Sequence, residues 1–538
     1  MDIITRAINR NYHIKDNIQK EKHTWEAFFK TCKDKQLIIY GAGAALRYIL
    51  LCKNICKKIE ELAVDITVVD SDINKQGFPI NWLYGEAIGT IFENIIIESP
   101  VILNNADNKV LLVTLMNGYD ELIMNFSENK AFECYSLLIM ESNYRSNGHT
   151  ENIIDDKKLY TDYVESFSEL PISGNKIVMW CGVYGAHAKS ITEKLFEIKK
   201  DLDIVWPVDS CEQSVPRGVR IVNKRNIYSY IYELETSGIW ICECADIPSF
   251  IKKRKGQYYI QAKHWSSITL KSFYLDDKTI CVSPETEKNI KYNGQIMDYI
   301  FTGSDLDEES CRKGFGYKGP MIRIGSARSD IIFDAKIRSQ IYKKFKLNDE
   351  IKTILYTPTF RMDNMKNKSE LNFIPDFKNI LRSVEEKFGG IWIIMLRIHP
   401  LLSFNNSGIE LSDNIINVSD YSDSQELVAA CDMMITDYSS IMFEPAFVRK
   451  PVFLYAPDRN EYIDKERGLL IDYDTLPFPI AETNEQLAEN IRCFDNEKYV
   501  KDVDAFMEKY GVHEDGHASE RAAKFISELI DNGISDKE

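Results

Sequence analysis

Nowhere in its 538 residues does the chain carry the run of about eighteen apolar residues that a membrane-spanning helix needs. Its first stretch, MDIITRAINRNYHIKDN, has no apolar core of a signal peptide, so no export leader is expected. Positive charge is also short. The 66 Lys and Arg stand against 82 Asp and Glu, a net charge of −16. Nucleic-acid binders present a basic surface, so that class is set aside. No cysteine framework is visible either: the 12 cysteines are scattered through the chain, several in predicted strands, and read as reduced thiols. Cys52/Cys56 and Cys242/Cys244 are too isolated to make a zinc site. What is present is the composition of a globular protein, 44% hydrophobic and too long for one core.

The stretch 391–471 is the most informative. The apolar run Ile391 to Leu396 reads as a buried parallel strand that delivers Arg397 and His399 to its carboxyl edge, before Pro400. Being two apart, Arg397 and His399 point to one side and Ile398 to the other. A helix follows from Ser424 to Cys431. A short strand, Met433 to Thr436, then runs into Asp437-Tyr-Ser439-Ser440, where another helix begins. A third strand spans Pro451 to Tyr455. In a βαβαβ series ligands bind outside the carboxyl ends of the strands. Free N–H groups and two hydroxyls at Ser439 and Ser440 suit a phosphate, although the same residues can simply cap the helix.

The N-terminal third has the same alternation. Strands are expected at Gln36 to Tyr40, Asp65 to Val69, Val110 to Leu115 and Cys134 to Met140, which makes a Rossmann-like unit over 1–145. Its dinucleotide fingerprint is incomplete, because Leu46 stands where Gly41-Ala-Gly43 should be followed by a third small residue. A dehydrogenase built on this unit is therefore disfavoured. Asp70-Ser-Asp72 matches a metal-binding DxD in form, but carboxylates are common at strand ends and an ordinary turn is the preferred reading. Residues 146–173 are polar and read as a linker, with room for one helix. A second βα series begins at Lys176 to Cys181 and continues through Ile204 to Asp209, Val219 to Val222, Gly238 to Glu243 and Tyr258 to Gln261.

Residues from about 174 to 525 resemble the CDP-glycerol glycerophosphotransferases, the teichoic acid polymerase and primase family. The resemblance is carried by Tyr356-Thr-Pro-Thr-Phe-Arg361, Arg397-Ile-His-Pro400, Ile435-Thr-Asp-Tyr-Ser-Ser440, Lys450-Pro451, Arg467-Gly468 and Asp515-Gly-His-Ala-Ser-Glu-Arg521. It implies a GT-B fold, two Rossmann-like domains facing across a cleft, here preceded by the additional α/β domain. The acceptor-side domain is expected over 174–340, and the donor-binding domain with C-terminal helices over 341–538.

The resemblance also assigns roles. His264 falls where the family has the His of a Trp-His-Gly-Thr-Pro-Leu-Lys loop, its proposed catalytic base. Here the loop reads His264-Trp-Ser-Ser-Ile-Thr-Leu-Lys271, without the Gly and Pro. An imidazole titrates near neutrality and can accept a hydroxyl proton. His399 and Arg397 would stabilise the diphosphate, as would Arg328 in Gly325-Ser-Ala-Arg328-Ser-Asp330. Thr357, Thr359, Asp437, Ser439 and Ser440 complete the expected donor pocket. Glu444 reads equally as a ribose acceptor or as a solvent-facing helix charge.

The expected reaction moves a polyol phosphate, glycerol phosphate before ribitol phosphate, from a CDP-alditol to a hydroxyl of a cell-surface glycan or lipid-linked glycan, and CMP leaves. No metal and no cofactor is expected. The expected location is cytoplasmic, with peripheral contact at the inner face of the membrane. Two alternatives stand beside it: a glycosyltransferase using a nucleotide sugar, and an idle donor-binding subunit. Two motifs are decoys. His513-Glu-Asp-Gly-His517 matches HExxH in letters, but Gly516 interrupts it. Lys252-Lys-Arg-Lys255 is a basic run that is either a solvated turn or a contact for anionic groups.

Overall fold

The structure is a computed structural model, and it describes residues 4, 7, 19–63, 65–104, 109–115, 122–123, 126, 132–149, 156–180, 186–209, 214–245, 247–277, 283–359, 374–398, 411–465 and 468–532. Two compact units emerge. The first holds 1–171 with 207–213 and 221–236, and the second holds 172–206, 214–220 and 237–538.

The first unit contains a parallel sheet of β1 (Gln36–Tyr40), β2 (Asp65–Val69), β3 (Ile97–Glu98), β4 (Lys109–Val113) and β5 (Glu133–Ser136), in the order β3-β2-β1-β4-β5. Leu37, Ile38 and Ile39 are all buried, as a strand covered on both faces requires. The expected fourth strand is shorter than its apolar run. Ser136 accepts the N–H of Ile139 and turns Leu137–Ser146 into a helix. Residues 146–173, expected as a linker, carry the helix Asp156–Ser168. Its Tyr163 and Phe167 meet Tyr228 edge-on, with ring centroids 5.1 and 5.0 Å apart.

At the end of β1, Gly41 adopts φ +111, and a Cβ there would lie 2.9 Å from Leu115 Cδ2. The following N–H, that of Ala42, donates to Asp70 Oδ2 at 2.7 Å, and Lys75 pairs with the same oxygen at 2.9 Å. Leu46 is fully buried in the core of this unit.

Two further parallel sheets follow. One runs β12-β11-β10-β9-β6-β7-β8, from β6 (Ser173–Trp180), β7 (Asp203–Val208), β8 (Arg220–Asn223), β9 (Ser237–Cys242), β10 (Tyr258–Gln261), β11 (Tyr299–Thr302) and β12 (Met321–Arg323). The other runs β15-β14-β13-β16-β17-β18, from β13 (Ile351–Thr357), β14 (Ile391–Leu396), β15 (Ile415–Asn417), β16 (Met433–Thr436), β17 (Val452–Tyr455) and β18 (Ile480–Ala481).

The two sheets of the second unit are joined by more than the chain crossing at 327–345. The loop after β10 reaches across. Its Ile268 and Leu270 are fully buried in the core of the β13–β18 half, worth about 1.5–3 kcal/mol each. Leu470 N–H donates to Leu270 O at 2.8 Å, and Ser272 N–H to Gly468 O at 3.0 Å. Gly468 permits this approach, since a Cβ there would meet Ser272 Oγ at 2.8 Å. The C-terminal helices divide between the halves. Asn496–Lys509 stacks Phe506 on Phe443 of the β13–β18 half. The last helix, Ala518–Asp531, instead packs against His187–Ile198, and its Phe525 meets Tyr299 and Phe301 of β11. The sequence had placed it in the donor-side domain.

Candidate active site

Arg328 is where the two halves of the second unit meet chemically. It lies in the 3-10 helix Ala327–Phe333, behind Gly325 at φ +89. Its NH1 donates to the carbonyl of His264 at 2.7 Å, and its Nε stands 3.3 Å from Glu444 Oε1. Glu444 is buried, 2% exposed, so its reading as a solvent-facing helix charge is corrected. Burial pushes its carboxyl up, and the charge of Arg328 opposes the shift.

The His264 loop is over-determined. Lys263 sits at φ +55, a conformation costing about 1–3 kcal/mol in a non-glycine residue. Its ammonium pairs with Asp307 at 2.9 Å, and both side chains are almost wholly buried. Asp307 also accepts from Trp265 Nε1 and from Gly303 N–H, each at 2.9 Å. Between these anchors the His264 side chain is exposed, with Nδ1 3.8 Å from Cys244 Sγ and its ring edge-on to Trp265.

Beneath the loop lies a histidine the sequence reading gave no role. Buried His187 has Nε2 2.8 Å from Trp265 O, and its Nδ1 accepts the N–H of Arg328 at 3.4 Å. That pattern assigns the neutral Nε2–H tautomer. Burial, then the charges of Lys263 and Arg328, hold its pKa well below the usual value. Its signal was position: a histidine opening the helix after β6.

On the other half, Asp437 bonds the backbone N–H of Thr359 at 2.9 and 3.1 Å and its hydroxyl at 2.6 Å. A carboxylate is acceptor-only, so here it fixes the end of β13 against the end of β16. Thr357 Oγ1 is buried and finds no hydrogen-bond partner among the described residues. Ser439 Oγ accepts Ile441 N–H, and Ser440 Oγ accepts Leu270 N–H at 3.0 Å, which ties this helix start to the His264 loop. Arg397 joins that group through its backbone, its N–H donating to Tyr356 O at 3.0 Å, but its side chain is engaged elsewhere. Its NH1 donates to the carbonyls of Tyr421 at 2.6 Å and Val418 at 3.4 Å, and burial lowers its pKa. His399, Arg361 and Arg467 lie outside the described residues. Lys189, also missed, binds Asp423 and Glu426 at 2.6 and 2.9 Å and pins the helix His187–Ile198 to the other half.

The decoys resolve differently. Lys253 is consumed by Asp298 and the carbonyl of Ile296, which leaves Lys252 and Lys255 as the exposed ends of a turn. His513 and His517 are exposed, and no group of three His, Cys, Asp or Glu suited to a metal occurs among the described residues. No helix among those residues is long and apolar enough to cross a membrane.

Two Rossmann-like halves whose facing loops converge on one arginine define a GT-B-type group transferase. Residues 165–528 match the family model described as CDP-glycerol:poly(glycerophosphate) glycerophosphotransferase, and the chain belongs to that family. It is 27% identical over 368 residues to a teichoic acid poly(glycerol phosphate) polymerase of Staphylococcus epidermidis, covering 66% of this chain and 50% of that protein. It is 27% identical over 436 residues to a teichoic acid poly(ribitol-phosphate) polymerase of Bacillus spizizenii, covering 78% of this chain and 67% of that one. Among solved structures, the wall teichoic acid polymerase TagF in a histidine-variant form superposes with a TM-score of 0.62 at 25% identity, over 70% of this chain and 93% of that one. The chain thus spans about half the length of the first of these relatives.

Proposed function

We propose that the protein transfers a polyol phosphate from a CDP-alditol to a hydroxyl of a teichoic-acid-like or other surface glycan and releases CMP. Glycerol phosphate is the first choice and ribitol phosphate the second. The supporting observation is the junction at Arg328, which touches the backbone of the exposed His264 on one half and the buried Glu444 on the other.

In this reading His264 takes the proton of the acceptor hydroxyl, and the oxygen attacks the phosphorus bearing the polyol. The bridging P–O bond breaks, and CMP departs with the electron pair. Arg328 and the hydroxyls of Thr357 and Ser440 would oppose the diphosphate charge, while Thr359, held by Asp437, would shape the strand end. Glu444, enclosed and one helical turn beyond Ser440, would accept from ribose hydroxyls. Arg397, occupied by two carbonyls, would shape the pocket wall. A cytoplasmic location with contact at the inner membrane face follows from a lipid-linked acceptor and is proposed with it.

The test is CMP release from CDP-glycerol and CDP-ribitol in the presence of short poly(glycerol phosphate) acceptors, for wild type and His264→Ala. Release lost in the variant is expected. No release with either donor, or equal release by both proteins, refutes the reading.

A further inference from the structure

The stretch His513–His517 has letters of a zinc motif and a different job in the fold. Its Glu514 is partly buried with its carboxylate enclosed. One oxygen accepts from the hydroxyl of Ser267, and the other accepts the N–H of Ser326 at 3.1 Å. Ser267 lies three residues beyond His264. Ser326 lies two before Arg328, whose guanidinium holds the His264 carbonyl at 2.7 Å. Gly325 leaves room for this clamp, since at φ +89 a Cβ there would stand 3.0 Å from Glu514 Oε2. The clamp is itself fixed, because Asp330 of the same turn accepts from Ala518 N–H at 3.0 Å and Ser519 N–H at 2.6 Å.

We propose that Glu514 is a positioning residue of the active site, a single carboxylate that holds the His264 loop against the Arg328 turn. Its role in turnover rests on the transferase reading above. Its role as a clamp does not.

Ionised, the carboxylate accepts from both serines at once. Protonated, it must aim an O–H of its own at one of two donors, and the backbone N–H of Ser326 cannot rotate away. Burial pushes the carboxyl up to about 7. Asp330 adds to the rise, while the two serine bonds and Lys263 oppose it. Three charged groups face it: Lys263 of the His264 loop, itself paired with Asp307, Asp330 of the turn, and Arg521 of the last helix. Loop geometry should therefore change near neutral pH.

The experiment labels the full chain with 5-fluorotryptophan and follows Trp265 by fluorine NMR, its resonance assigned by loss in Trp265→Phe. A His264→Gln background removes the imidazole whose ring lies 4.9 Å from this indole. The resonance should titrate once near pH 7, and become flat from about pH 6 to about pH 8.5 in the additional variant Glu514→Gln. Ser267→Ala keeps the carboxyl and removes one bond that opposes the rise, so it should move the midpoint upward, and it guards against a folding defect of the first variant. Persistence of the titration in Glu514→Gln, or a Trp265 resonance that neither Glu514→Gln nor Ser267→Ala moves, overturns the clamp.

In protein with His264 intact, Glu514→Gln should lower kcat for CDP-glycerol about ten-fold or more while the donor KM stays within about two-fold. The acid limb of the pH profile should fall from two-proton to one-proton dependence. Equal losses in kcat and donor affinity, with the two-proton limb kept, would contradict positioning. If wild type releases no CMP, the transferase reading fails, and the fluorine titration alone decides the clamp.

Discussion

Two strand ends in this molecule, that of β1 in the first unit and that of β13 in the second, differ in what their polar groups do. After β1, the backbone N–H of Ala42 is taken by Asp70, and Lys75 closes the same carboxylate. The turn satisfies itself. In the second unit, Thr357 Oγ1 is buried with no hydrogen-bond partner among the described residues, and the buried Glu444 faces Arg328 Nε at 3.3 Å. Burying unsatisfied polar atoms costs about 1–3 kcal/mol each, so folding alone does not favour them. The first arrangement is closed within the fold, and the second leaves a buried donor open, as the proposed donor site requires.

The comparison can be broken in four places. His264→Ala should cut turnover about 10²–10⁴-fold without loss of donor binding, as CMP release and calorimetry would show. A smaller loss would move the base elsewhere. Arg328→Met leaves Glu444 without its cation, and should destabilise the protein by about 3–5 kcal/mol in urea unfolding at pH 8. Adding Glu444→Gln should recover most of that, because the pair is buried and coupled.

Glu514 gives a pH-dependent effect. Its folded pKa of about 7 lies above the ordinary 4.5, so the stability it confers is fully present below about pH 4.5 and lost as pH rises through about 7. Glu514→Gln should gain on wild type by about 3 kcal/mol across that window, read as a growing difference in Tm. The smallest effect belongs to the first unit. Asp70→Asn should cost about 1–2 kcal/mol of stability and leave CMP release unchanged. A fall in turnover there would erase the contrast between the two strand ends.

Much of this was legible in the sequence, for identifiable reasons. Strands such as Ile391–Leu396 and Gln36–Tyr40 are buried on both faces, so their apolar runs announce them. Ser440 could be nominated because it opens a helix, and Arg328 because Gly325 to Asp330 resembles a turn of the family. What stayed hidden depends on long-range packing. Residues 137–140 are apolar enough for a strand, and a serine cap made them helix. His187, Lys189 and Glu514 act through partners tens to hundreds of residues away, and no local pattern marks such contacts. Ile268 and Leu270 sit in a loop where periodicity gives no reason to expect core residues of the other half.

The most direct test is thermal stabilisation of the wild-type protein by CDP-glycerol, CDP-ribitol, UDP and NAD, repeated on Arg328→Ala and Asp70→Asn. Stabilisation by a CDP-alditol, abolished in Arg328→Ala and kept in Asp70→Asn, is the expected result. Stabilisation by NAD alone, abolished in Asp70→Asn and kept in Arg328→Ala, would place the ligand at the β1 turn and contradict the assignment of the cleft.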